Sequence, residues 1–400
     1  MRINATCRTA LYNLASLLTT LCAASSARAA LAVPEYSSLP GAHAKIYLDF
    51  GGTNYSGTWA GKTPGTVPAY DTDGNASTFT PTELANIRQI FVRVAEKYSP
   101  FNINVTTVNP GNENNLETAR LIIGGSNTWY SSSAGGVAFV NGFTNSSSNV
   151  GWVFPKNLSN GNPKTVAEAS AHEAGHLFGL SHQSTWAQVN GVWTETQEYS
   201  TNGNSSLKRP IMGSSYDGTR GLWWNGTTSS PTTIQDDVAR LSRSANGFGY
   251  RADDHAGTVL GATPLIANSA AQVFGSGIIT TTGDLDLFSF VTGTGTIRFT
   301  TTLAEFGGML DSTLQLFGMD GTLLQTNATI NLTETLVASL YAGEYLIGVS
   351  SRGNYGDIGQ YSLTGQLVAV PEPSLACLLL MSIYPLVARR CGRRRTVRSC

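Results

Sequence analysis

The chain has 400 residues, enough for two domains with cores of their own, and only 13% of them are charged, about half the usual share. The net charge of −1 hides an uneven layout: outside the first 29 and last 30 positions, 16 basic residues face 25 acidic ones, a body of −9. An acidic body without a basic stripe excludes nucleic acid as an expected partner. The five cysteines, Cys7, Cys22, Cys377, Cys391 and Cys400, all fall in the two ends, so the body holds no disulfide and no thiolate metal site.

Residues 1–29 read as a secretory signal peptide: Arg2 and Arg8 lead, Ala10 to Ala24 is mostly apolar, and Ala27-Arg28-Ala29 offers a small-x-small cleavage site. Lys45 to Phe50 alternates and stops at Gly51-Gly52, the pattern of a first strand. Thr80 to Tyr98 is a helix, with Thr80 as cap, Pro81 in the first turn and Glu83 closing a capping box. Leu84, Ile87, Phe91, Val94 and Ala95 mark its apolar face. Asn102 to Thr106 and Arg120 to Ile123 read as strands, and glycine-rich Gly135 to Phe154 as edge strands and loops. Strand, helix, strand, strand and a second helix imply an α/β unit over residues 30–251 with one mostly parallel sheet.

That second helix carries the chemistry. Pro163 opens it, and Thr165-Val166-Ala167-Glu168 reads as a capping box. His172 and His176 then lie four residues apart on one face, about 5–6 Å between Cβ atoms, where two imidazoles can hold one zinc. Glu173 sits one step round from His172, beside the metal and not bound to it, where a base belongs. Gly179 can take a positive φ and turn the chain back, so that His182 becomes a third ligand. Three neutral ligands and an open fourth position describe a catalytic zinc site.

His172-Glu173-x-x-His176-x-x-Gly179-x-x-His182 resembles the signature of the metzincin metalloproteases. The resemblance implies a methionine turn below the zinc, and Arg209-Pro210-Ile211-Met212-Gly213 fits, with Met212 as the hydrophobic floor. Some members place a tyrosine two residues after that methionine; here the position is Ser214 and the nearest tyrosine is Tyr216. Gln235 to Leu241 is expected to start a helix behind the site, its carboxylates serving as caps or as supports of the ligands. The implied activity is that of a secreted zinc endopeptidase with Glu173 as general base, acting on a protein or peptide laid along an edge strand near Gly135–Phe154. The propeptide cysteine that silences many members has no counterpart in the body. Two rivals stand beside this reading: a gluzincin-like peptidase with Glu195 or Glu198 as third ligand, and a surface adhesion protein on a zinc-protease fold.

Beyond about Gly249 helix signals stop. Leu285–Val291, Ile297–Thr302, Thr313–Phe317 and Tyr345–Val349 read as short strands of a β-sandwich over residues 252–368. Asp253-Asp254-His255, Gly283-Asp284-Leu285-Asp286 and Ala342-Gly343-Glu344-Tyr345 resemble bacterial pre-peptidase C-terminal domains. Asp284 and Asp286 are calcium candidates. With no catalytic motif, this segment is expected to be dispensable for chemistry. Residues 369–400 combine Pro371-Glu372-Pro373, a 14-residue apolar run from Leu375 to Ala388, and arginines from Arg389 to Arg398. They resemble the PEP-CTERM sorting signal of Gram-negative bacteria, which implies processing by an exosortase, transient membrane association and a final place at the cell surface or outside it. The run would reach only about 21 Å as a helix, short for a hydrocarbon core of about 30 Å.

Overall fold

The computed structural model describes residues 31–370 apart from 146, 202–206 and 330. The expected signal peptide, the tail from Pro371 onward and all five cysteines lie outside the described residues. No helix among the described residues is long and apolar enough to cross a membrane.

The first unit is a five-stranded sheet with helices packed on it. Its strands are β1 (Ala44–Asp49), β2 (Ile103–Thr106), β3 (Thr118–Ile123), β4 (Gly136–Val137) and β5 (Val150–Val153), in spatial order β2-β1-β3-β5-β4. All neighbours run parallel except the edge strand β4, which pairs antiparallel with β5. Ile46, Leu48, Leu121, Ile123 and Val153 are fully buried, each stabilising the fold by about 1.5–3 kcal/mol. Helix α1 (Pro81–Tyr98) has the expected capping box: Thr80 Oγ1 accepts from Glu83 N, and Glu83 Oε2 accepts from Thr80 N. Its core face is Ile87, Ile90, Val94 and Tyr98, while Phe91 lies at the margin, stacked on Tyr36. Helix α2 (Pro163–Leu177) packs on α1 and on the sheet and is buried from Val166 to Leu177.

The second unit is a sandwich. One sheet contains Thr263–Pro264, Leu285–Thr292, Gly343–Ser351, Ser312–Gly318 and Leu323–Asn327; the other contains Gln272–Ile279, Gly359–Gln366, Gly295–Leu303 and Thr335–Leu340. Their inner faces meet in one core that includes Phe288, Phe290, Phe299 and Leu363.

The two units are joined by more than a linker. Met309 and Ile358 of the sandwich are buried in the core of the first unit. Glu96, fully buried at the end of α1, accepts from Met309 N at 2.9 Å and from Gln360 Nε2 at 2.9 Å. Arg220 donates to Asp357 Oδ1 at 2.6 Å and to the Met309 carbonyl. Lys97 Nζ, also buried, donates to Gly221 O at 2.7 Å and to Gly307 O at 3.2 Å. The segment expected to be dispensable therefore satisfies buried charges of the first unit.

Candidate active site

Helix α2 starts differently from the sequence expectation. Asn162 is the cap; its side chain accepts from Lys164 N at 3.0 Å and Thr165 N at 3.4 Å, and Pro163 follows in the first turn. Thr165 lies inside the helix and donates its hydroxyl to Leu158 O and Asn162 O, both at 3.0 Å. Glu168 closes no capping box. It turns into the core, accepting from Ser215 Oγ at 2.7 Å and facing Lys97 Nζ at 3.5 Å.

The spacing of four residues brings the His172 and His176 rings to 4.7 Å. Gly179, with φ +99°, ends the helix, and Leu180 N closes back on Gly175 O at 2.9 Å. The reversal returns His182 to the helix, 5.2 Å from the His172 ring and 4.8 Å from the His176 ring. One nitrogen of each histidine lies within 4.8 Å of those of the other two.

Each imidazole is oriented from behind. His172 Nδ1 lies 2.8 Å from Ile211 O, and His176 Nδ1 lies 2.7 Å from Leu180 O. A carbonyl only accepts, so both Nδ1 atoms carry the proton and both Nε2 atoms present lone pairs. His182 Nδ1 meets Glu198 Oε1 at 3.1 Å, which fixes the same tautomer. His176 Nε2 and His182 Nε2 then face each other at 3.0 Å, acceptor against acceptor, an arrangement that calls for a cation between them. Burial, followed by mutual repulsion, holds His172 well below the ordinary imidazole range and His176 at about 4. Burial also lowers His182, against the pull of Glu198 and Glu195. All three are neutral ligands at neutral pH, and this donor set fits zinc.

Glu173 points into the same cleft, 5% exposed, and its Oε2 has no hydrogen-bond partner among the described residues. Burial pushes its carboxyl well above the usual range; a cation held by the three imidazoles would act in the opposite direction. Met212 is fully buried beneath the helix. A Cβ on Gly175 would meet its sulfur at 2.6 Å, so the close seating of that floor depends on glycine. The helix behind the site is shorter than expected, Asp237–Ser242 (α3), capped by Asp236 through Ala239 N at 2.8 Å. Asp237 is buried and accepts from Gln183 Nε2 and Trp224 N, both at 2.9 Å, bracing the chain just after His182.

The rival ligands have other tasks. Glu198 stands behind His182, and Glu195 lies on an exposed strand of the hairpin formed by β6 (Thr185–Val189) and β7 (Val192–Gln197). Tyr216 lines the cleft, its hydroxyl 3.3 Å from the point a Cβ on Gly135 would occupy. Sequence reasoning missed Tyr199, whose ring lies 4.4 Å from His182 and 6.1 Å from His172. Burial and the neighbouring Glu198 push its phenol up to about 12. Asn190-Gly191, both at positive φ, is the hairpin signal that would have set Glu198 and Tyr199 beside the histidines. The cleft, of about 700 Å³, runs past the edge strand β4, and Tyr130 and Val137 complete its wall.

The calcium candidates separate. Asp284 accepts from Thr280 N at 2.7 Å, whereas Asp286 groups with Asp253 and Asp254. Asp286 Oδ2 accepts from Tyr361 Oη at 2.5 Å, and burial raises its carboxyl to about 8. Burial, with the neighbouring carboxylates, favours the protonated form of Asp286.

Residues 90–183 match the model of the reprolysin-like M12B metallopeptidase family, a stretch that runs from α1 to just past His182. The match supports a metallopeptidase. No curated protein matches the chain. Among solved structures, the pre-peptidase C-terminal domain of a Bacillus anthracis collagenase is 16% identical, with a TM-score of 0.22, over 26% of this chain and 94% of that one. The g-type lysozyme inhibitor PliG of Aeromonas hydrophila is 16% identical, with a TM-score of 0.21, over 26% and 95%. At such scores neither likeness bears on activity.

Proposed function

We propose that this chain is a zinc-dependent endopeptidase. The observation that carries the reading is the convergence of three outward-facing Nε2 lone pairs with one buried, unpartnered carboxylate oxygen in a single cleft. Bound zinc supplies a Lewis acid that polarises a carbonyl and acidifies water. His172, His176 and His182 would hold it, their rings fixed by Ile211 O, Leu180 O and Glu198.

Glu173 is the group that takes a proton from the attacking water and returns it to the leaving amine. Its free Oε2 is the acceptor, and the absence of any donor among the described residues keeps it available. The unpaired side of β4 offers main-chain groups to an extended peptide, which suits cleavage within a chain. Tyr130, Tyr199 and Tyr216 wall the cleft and limit water around the reacting bond.

Glu173→Gln tests the assignment. The amide keeps the size of the side chain but takes up no proton at neutral pH. Zinc content and melting behaviour should match the wild type, while cleavage of casein or a peptide library falls by at least about 10²–10⁴-fold. Equal rates in both proteins would remove Glu173 from the mechanism. Absence of cleavage by either, with zinc bound to both, would favour the surface adhesion reading.

A further inference from the structure

Residues 198–200 are wedged between the two turns that shape the site. Ser200 N donates to Gln183 O at 2.7 Å, one residue past His182. Ser214 N donates to Ser200 O at 3.0 Å, two residues past Met212. Gln183 N closes the third side on Met212 O at 2.8 Å. Main-chain bonds thus fix Tyr199 against the turn of the third histidine and the methionine turn at once. The Tyr199 ring lies over His182 at 4.4 Å, and the residue lines the cleft together with Glu173.

The position two residues after Met212 offers only the short hydroxyl of Ser214. Tyr216 has its hydroxyl beside Gly135. Tyr199 is the tyrosine whose ring packs on the histidine cluster, and it is 45% exposed, open to a substrate.

We infer that Tyr199 is a catalytic residue whose phenol donates a hydrogen bond to the oxygen of the scissile carbonyl as that oxygen gains charge. This rests on the peptidase reading above. The O–H bond stays intact, so the phenol acts as a fixed donor and no proton changes owner. The hairpin β6–β7, which delivers Tyr199, becomes part of the catalytic apparatus rather than a surface ornament.

The test compares Tyr199→Phe and Tyr216→Phe in the full, zinc-loaded chain. Tyr199→Phe should lower kcat by about 10²–10³-fold. KM, zinc affinity measured against a chromophoric chelator, and melting temperature should stay near the wild type. A second readout is independent of turnover: a phosphinic peptide, tetrahedral at the reacting centre, should lose affinity by a similar factor, while a cleaved product peptide binds as before. Tyr216→Phe, which alters the cleft wall, should change phosphinate and product binding in parallel. Unchanged kcat and phosphinate affinity in Tyr199→Phe would overturn the inference. So would a parallel loss of phosphinate and product binding, or the split appearing in Tyr216→Phe. A wild type that holds zinc yet neither cleaves peptides nor binds the phosphinate would overturn the peptidase reading itself.

Discussion

His172, Glu173 and His176 ride on a helix buried along most of its length, whereas Glu198 and Tyr199 reach the site from a hairpin whose second strand is exposed throughout. The helix side is oriented by main-chain carbonyls, Ile211 O and Leu180 O, which no substitution deletes. On the hairpin side His182 is oriented by a side chain, Glu198, which a substitution can remove. The difference separates what is fixed by packing from what is adjustable. The helix side also leans on the sandwich through Lys97 and Glu96; the hairpin makes no such link among the described residues.

The largest effect should come from cutting that support. A chain ending at Tyr250 loses Met309 and Ile358 from its core, each worth about 1.5–3 kcal/mol. It also strands Glu96 and Arg220 without their partners, and breaking one buried pair costs about 3–5 kcal/mol. Against a typical total of about 5–15 kcal/mol, the truncated chain should show no cooperative melting transition. A truncated chain that melts within a few degrees of the full one would erase the contrast between the two sides.

A middle effect belongs to the hairpin. Glu198→Ala should weaken zinc binding by about 10–100-fold, the usual cost of losing a ligand's outer partner, with little change in melting of the metal-free chain. Chelator competition measures the first and calorimetry the second. Unchanged zinc affinity would mean that His182 needs no partner and that the two sides are alike.

The narrowest effect, confined to one stretch of pH, is electrostatic. Burial pushes Glu96 up from 4.5 to about 7, so the folded chain keeps a proton that the unfolded chain has released. Stability from this group is full below about pH 4.5 and is lost as pH climbs through about 7. Glu96→Gln does not titrate. The wild type minus variant difference in unfolding free energy should therefore fall over that window, by on the order of 3 kcal/mol. A difference constant from pH 5 to pH 8 would place Glu96 outside the energetics of the joint.

What the sequence made legible follows the range of the interactions. The His172–His182 spacing, the Gly179 turn and the cap of α1 are local, and each has its expected form. The cap of α2 was misread because Asn162 and Thr165 both suit an N-terminus, and the proline between them decides for Asn162. The Lys97–Glu168 pair joins residues 71 apart and leaves no local trace. In the sandwich, Leu285–Thr292 and Gly343–Ser351 show clear apolar runs, whereas Leu323–Asn327, largely exposed, has little pattern to read. Tyr199 stayed hidden because its neighbours are set by the hairpin register, not by spacing from a histidine.

The joint at α1 also fixes an order of events. A ribosome delivers the chain from its N-terminus, so the three histidines and Glu173 emerge well before the sandwich. Lys97 waits 210 residues for Gly307 O, and Glu96 waits 264 for Gln360. Until those residues arrive, Glu96 lacks its donors from Met309 and Gln360, and Ile358 is missing from the core behind the helix. The buried charges behind the helices that carry the site are thus matched only after the sandwich has been made.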